Sequence, residues 1–425
     1  MTERLRALLR LAAASAWYRR GTLALVTLAI ALATLLQLGI EQLRRDVRLH
    51  FSSAVSGTDL IVGARTGATQ LMLYSVFRIG QATQNMRWAS VQAIAQDRAV
   101  AWVVPIALGD SLRGHPVVGT TADYFRHFRY GDDQALALRE GRVFAHWSEA
   151  VLGADVAEAL GLRVGAPLVL SHGMAAGLPG AEHADRPFTV VGVLARTGTP
   201  VDRSVHIGLD GMAALHVDWM AGVPLPGQST PAADLQAEDL APTQVTAVLV
   251  GLKSRAAVFS AQRRIQALRE EPLVAVLPGV TLDELWAVVG VGERLLQAVA
   301  ALVGVVSLAG LSATVLTGLE QRRRELAVLR AVGASPRTLA ALLLCEGLWL
   351  ATVGVAVGAA AGWVLLQGLG PWLARHHGLV LGRAELADGA LPALAAVWLA
   401  ALLASLLPAW RAWRLSLADG LAPPP

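Results

Sequence analysis

The sequence predicts a membrane protein: a bundle of four transmembrane helices in a one-plus-three layout, with a large folded domain between the first and second. Three observations predict it. Hydrophobic residues make up 54% of the chain and charged residues 16%, a skew toward membrane spans rather than disorder. Four stretches, 21–40, 295–319, 338–370 and 391–409, are long, apolar and nearly free of charge. The arginines gather on one side of them, and 425 residues exceed what a single core usually holds.

In residues 1–20, Leu5, Leu8, Leu9 and Ala12 share one helical face with arginines elsewhere. This is the pattern of a cytoplasmic helix lying on the inner leaflet, although a plain stop-transfer flank reads almost equally well. Residues 21–40 contain no ionisable side chain, and 20 helical residues match a hydrocarbon core of about 30 Å. The stretch is too long for a signal-peptide core, and Glu41-Gln42-Leu43-Arg44-Arg45 offers no small-residue cleavage site, so it reads as an uncleaved anchor.

Residues 41–294 carry globular patterning, with strand-like runs at 188–194 and 245–250. The Gly- and Ala-rich stretch 172–185 reads as a flexible insertion. Three further spans follow: 295–319, 338–370 with Glu346 as its one charge, and 391–409. The short loop 371–390 and the tail 410–425 complete the chain.

Orientation follows from arginine. Arg4, Arg6, Arg10, Arg19, Arg20, Arg322, Arg323, Arg324, Arg330, Arg337, Arg411 and Arg414 flank one side, against Arg375 and Arg383 on the other. Both termini and the 320–337 loop are therefore expected in the cytoplasm, with 41–294 and 371–390 outside. Arg44, Arg45 and Arg48 dissent, but long translocated domains are largely exempt from the rule. The pI of 9.8 comes with a net charge of only +4, and arginines beside apolar runs mark topology, so nucleic acid is not an expected partner; membrane lipids are. A single cysteine, Cys345, excludes an internal disulfide and reads as a small buried hydrophobe.

The cytoplasmic loop 320–337 is the most informative stretch. Leu326, Leu329 and Arg330 fall at i, i+3 and i+4, Gly333 suits the residue after a helix end, and Ser335-Pro336 forms a cap followed by an N1 proline. The run Arg322-Arg323-Arg324-Glu325-Leu326-Ala327-Val328-Leu329-Arg330-Ala331-Val332-Gly333-Ala334-Ser335 resembles the signature of the FtsX/MacB-like ABC transporter permease family, the transmembrane subunits of lipoprotein-release and macrolide-export type. The resemblance extends over the one-plus-three layout, over 151–165 and over the Val190–Leu194 run.

It implies that this segment is a coupling helix seated in a groove of a cytoplasmic ATPase. Glu325, Leu329, Arg330, Gly333, Ala334 and Ser335 would then be the docking and hinge positions. It also implies an inner-membrane, multi-pass protein whose periplasmic region 41–294 is built of two α+β lobes, one from both ends of the segment and one inserted in its middle. Asp59–Arg65 and Thr197–Ser204 resemble stretches common in a subgroup of these permeases, and their glycine and proline fit tight turns.

A P-loop requires a lysine within G-x-x-x-x-G-K-[ST]. Lys253 is the only lysine and follows Leu252, so this chain is not expected to be an ATPase. ATP and Mg²⁺ belong on a dimeric partner ATPase, with no cofactor in this chain. The remaining expected partners are a second copy of this chain or a paralogous permease, and a periplasmic adaptor or substrate-binding protein.

Gly354, Gly358 and Gly362 form a doubled small-xxx-small register for close helix approach, either within the bundle, the preferred reading, or across a dimer. Glu346 reads either as a coupling or proton-linked group or, preferentially, as a carboxylate near the inner boundary paired with a loop arginine. His172, His183, His206, His376 and His377 are expected outside, but none is spaced as metal ligands usually are, so no metal site is expected. No nucleophile elbow or paired-carboxylate motif is present, so no catalytic residues are expected.

Three readings compete. The first is an ABC permease subunit that transmits motion to its external domain to export or extract a substrate. The second is a non-transport, FtsX-like regulator of a cell-wall hydrolase or a sensor. The third is a conventional solute or metal permease, against which the scarcity of polar residues on spans two to four speaks.

Overall fold

The computed structural model describes residues 20–52, 54–131, 133–173, 182–220, 223–224, 230–231, 234–236, 238–321, 331, 333–377 and 390–414. The expected inner-leaflet helix (1–19), the middle of the Gly- and Ala-rich insertion (174–181), most of the 371–390 loop (378–389) and the end of the tail (415–425) lie outside them. The chain divides into a helical unit, Met1–Asp46 with Gly290–His376 and Val380–Pro425, and an α+β unit, Val47–Val289 with His377–Leu379.

The helical unit is built from the helices Arg20–Ser52, Pro278–Gln321, Pro336–His377 and Ala390–Arg414, of which 47–52, 278–289 and His377 fall in the α+β unit. Three described stretches, Arg20–Gln42, Pro278–Gly310 and Pro336–Gly370, are long and apolar enough to cross a membrane; the apolar part of the last helix, Ala390–Leu406, is shorter. The helices run past the apolar stretches read from sequence: the first continues to Ser52 and the second begins at Pro278. Hydropathy marks where a helix can lie in hydrocarbon, whereas its ends are set by caps and breakers.

Where these helices meet, Val26, Ile30, Leu350, Ala351 and Ala401 are buried, with Leu308 and Val397 packed against them. Outward they present Leu25, Leu28, Leu302, Val305, Val306, Trp349, Trp363 and Leu403, all largely exposed. Rows of exposed large apolar side chains along every helix suit a lipid surroundings rather than water. Cys345 belongs to this outer surface, which corrects its reading as a buried hydrophobe. A helix destined for lipid need not turn its small apolar residues inward.

In the α+β unit, the main sheet runs Leu273–Val276, Leu60–Ala64, Ala247–Leu252, Val100–Leu112, His115–Thr120, Val205–Gly208, Glu149–Leu152, Phe188–Leu194, Leu138–Gly141. The first three strands come from the two ends of the segment. Val100–Leu112 joins them to the inserted middle: its first half pairs with Ala247–Leu252 and its second with His115–Thr120. The hairpin between Leu112 and His115 turns through Arg113 (φ 49) and Gly114 (φ 87), the two positive φ values of a type I′ turn. The sheet is mixed, since Val205–Gly208 lies parallel to His115–Thr120, and Phe188–Leu194 parallel to Glu149–Leu152.

Both faces of this sheet are covered. Leu60 and Val62 enter one apolar cluster and Ile61 the other, so Leu60–Ala64 is buried throughout, as its unbroken apolar sequence requires. Two stretches singled out by sequence become anchors. Asp59 accepts the Leu252 N–H at 2.7 Å, fixing the start of its strand. In Thr197–Ser204, the Asp202 carboxylate accepts the Thr197 and Gly198 N–H groups at 2.8 and 2.7 Å. Burial raises the Asp202 pKa, and these hydrogen bonds oppose it. The turn packs on Gly153, where a Cβ would lie 2.3 Å from the Val201 carbonyl oxygen; only glycine fits there.

Candidate functional site

Of the 320–337 elbow, residues 320, 321, 331 and 333–337 are described; Glu325, Leu329 and Arg330 lie outside the described residues. Gly333 has φ +101, a backbone that L side chains rarely adopt. Ser335 Oγ accepts the Thr338 N–H at 3.2 Å, and Pro336 opens the helix, the arrangement its sequence suggested. Ala334 packs into a cluster with Leu339, Leu343 and Ala409, against which Leu316 also lies. The turn is thereby wedged among the ends of three helices.

Gly354, Gly358 and Gly362 all face the first helix of the same chain. A Cβ on Gly354 would meet Ile30, one on Gly358 would meet Ala31 and Thr34, and one on Gly362 would meet Leu35. The steps of four along one helix match those along the other, so the two backbones approach closely over two turns. Glu346 is half-buried on the same helix. Beside it, Gly347 lies against Ser405 of the last helix.

A second constellation lies in the α+β unit. Asp110, His172, His183 and His216 each offer one ligating atom, and these atoms all lie within 4.8 Å of one another. His172 stands directly opposite Asp110 in the antiparallel pairing of Ser171–His172 with Val100–Leu112, which puts both side chains on one face. His216 ends the helix Leu209–Leu215. The N–H of His183 bonds the Leu170 carbonyl at 2.8 Å.

His172 Nδ1 is 3.1 Å from Asp110 Oδ1 and 3.1 Å from His216 Nε2. His216 Nε2 and His183 Nε2 are 3.4 and 3.8 Å from Asp110 Oδ1. Asp110 and His183 are buried, whereas the side chains of His172 and His216 keep 30% exposure. Burial pushes the Asp110 pKa up, but hydrogen bonding to the three imidazoles outweighs it and holds the carboxyl below its usual range.

Spacing along the chain offers no metal motif here: His172 and His183 are eleven residues apart, and Asp110 and His216 lie far from both. The fold gathers these four from positions up to 106 residues apart. Of the other histidines considered, His206 lies in the core, its ring 5.3 Å from that of Tyr124 and 5.8 Å from that of Phe125. Burial, aided by the Arg78 charge, lowers its pKa to about 3. His376 and His377 are the last residues of Pro336–His377.

The family model of the MacB-like periplasmic core domain matches residues 21–268, and that of the FtsX-like permease C-terminal matches residues 298–417. The chain belongs to the FtsX/MacB-like permease family of ABC transporters. Members are membrane-embedded, carry a periplasmic domain and work with a cytoplasmic ATPase, the permease not being that ATPase.

Among solved structures, the periplasmic region of MacB from Actinobacillus actinomycetemcomitans is similar at 12% identity and a TM-score of 0.34, covering 55% of this chain and 94% of that one. The extracellular domain of the noncanonic ABC-type transporter YknZ from Gram-positive bacteria is similar at 13% identity and a TM-score of 0.30, covering 52% and 99%. No curated protein matches the chain.

Proposed function

We propose that this chain is an inner-membrane permease subunit with four transmembrane spans that works by mechanotransmission. A separate ATPase dimer, binding and hydrolysing ATP with Mg²⁺, would drive the 320–337 elbow. The helices would relay that movement to the periplasmic domain, which exports or extracts a substrate at the outer face. The observation that carries this reading is the seat of Ala334, packed with Leu316, Leu339, Leu343 and Ala409. A force on the adjoining coupling segment is delivered at once to three helix ends, because packed apolar contacts transmit strain.

The bundle interior speaks for movement rather than permeation. Among the described residues, Val26, Ile30, Leu350, Ala351 and Ala401 form its buried apolar cluster. Buried Thr34 and Ser405 bond carbonyls of their own helices, those of Ile30 and Leu402, so neither is poised to line a hydrophilic path.

The test is co-purification of the full chain with its ATPase and measurement of ATP turnover for wild type and for Glu325→Ala, Arg330→Ala, Gly333→Val and Ala334→Leu. The expected result is loss of association or of stimulated turnover with intact folding. Unchanged association and turnover in all four would overturn the docking role.

A further inference from the structure

We propose that Asp110, His172, His183 and His216 form a binding site for one divalent transition-metal ion of the zinc class in the periplasmic domain. The spacing of the ligating atoms is the first argument. Metal–ligand bonds of about 2.0–2.1 Å arranged tetrahedrally place neighbouring ligand atoms about 3.3 Å apart. Four of the separations here are 3.1, 3.1, 3.4 and 3.8 Å, and none of the six exceeds 4.8 Å. Side-chain shifts that close the widest separation, at most 4.8 Å, by up to about 1.5 Å complete the tetrahedron.

Ring orientation is the second argument. The imidazole planes of His172 and His183 cross at 83°, of His172 and His216 at 73°, and of His183 and His216 at 75°. The rings fan around a common point instead of stacking, as nitrogen lone pairs converging on an ion require.

The groups behind the ligands supply the third. His216 Nδ1 lies 2.9 Å from the Met212 carbonyl oxygen. A carbonyl can only accept, so Nδ1 carries the proton and Nε2 is the ring nitrogen that faces the site, the one a metal would bind in the neutral ring. Asp110 Oδ2 is buried and, among the described residues, has no hydrogen-bond partner. The described ion pairs of this carboxylate are to the three imidazoles. A bound dication would offset the charge of this buried carboxylate.

The donor set selects the ion. Three imidazoles and one carboxylate suit Zn²⁺ and its first-row neighbours, whereas Ca²⁺ and Mg²⁺ take all-oxygen sets. Four protein ligands close a tetrahedron and leave no open position for a reacting water. The site is therefore built to hold or carry the ion rather than to hydrolyse. The partly exposed His172 and His216 give the ion its way in, and buried Asp110 and His183 form the floor. The competing arrangement is a hydrogen-bonded Asp–His network with one imidazolium in place of the ion.

The test uses the full chain purified in detergent through a tag without histidines, stripped with a chelator and titrated with Zn²⁺, with bound metal counted by elemental analysis. The expected result is one zinc per chain, with affinity falling by about 100-fold or more in His172→Ala/His216→Ala, a change at the two accessible ligands. Titration with Co²⁺ should give the intense visible bands of a tetrahedral ion in wild type, which decides the matter even if the double variant does not fold. Failure of the wild type to retain zinc or to give those bands, or full zinc binding by a folded double variant, would overturn the proposal.

Discussion

Alanine placed at successive glycines of the third helix should separate close helix contact from simple helix propensity. In a helix interior alanine is favoured over glycine by about 0.8–1 kcal/mol, so an unobstructed Gly→Ala change should be neutral or mildly stabilising. Gly368 meets that condition, with nothing within 4 Å of a built Cβ. At Gly358 the Cβ would lie 2.5 Å from the Ala31 carbonyl oxygen and 2.7 Å from Thr34 Cβ. The first helix would have to retreat by about 0.9 Å, the gap between 2.5 Å and the 3.4 Å at which ordinary contact begins.

Forcing a methyl into packed structure typically costs about 1–3 kcal/mol, more than the propensity gain, so Gly358→Ala should destabilise. Gly354→Ala should do likewise, its Cβ meeting Ile30 Cβ and Cγ2 at 2.7 Å. Gly362→Ala touches only the end of Leu35 at 3.4 Å and should be nearly neutral. Thermal denaturation of the full chain in detergent reads the series, with ATP turnover in the reconstituted complex alongside. Equal melting temperatures for Gly358→Ala and Gly368→Ala would refute the close contact with the first helix.

Gly153→Ala should cost the periplasmic domain about 1–3 kcal/mol, because the obstructing atoms, the Val201 and Asp202 carbonyl oxygens at 2.3 and 2.4 Å, are backbone and cannot swing aside; limited proteolysis of the full chain reads it. His206 gives the domain an acid sensitivity. Its pKa is lowered to about 3 in the fold against about 6.5 unfolded. As pH falls from 6.5 toward 3, the unfolded chain binds a proton that the fold refuses, so stability drops by up to about 1.4 kcal/mol per pH unit. His206→Phe, which keeps the ring contacts with Tyr124 and Phe125, should flatten the pH dependence of the melting temperature over that window.

Much of the fold was legible because its signals are local. An apolar run such as 21–40 can end only in a helix where water is absent, and Ser335-Pro336 announces a helix start by its own chemistry. The strands expected at 188–194 and 245–250 appear as Phe188–Leu194 and Ala247–Leu252, again from runs of β-branched residues. Pairing order was not legible. That Val100–Leu112 divides its hydrogen bonds between two neighbours depends on contacts up to 152 residues apart, which periodicity does not encode.

The histidine cluster shows why a site can be hidden in a sequence whose elements are plain. Metal motifs are recognisable when two ligands share one helical turn or one knuckle, since local geometry then brings them together. Here each ligand sits on a different element, and it is strand register that sets His172 opposite Asp110. A shift of one residue in that pairing would turn one of the two side chains to the other face. The site is thus a property of the sheet's register and of the helix end that delivers His216, and it exists only once the inserted half of the domain has folded.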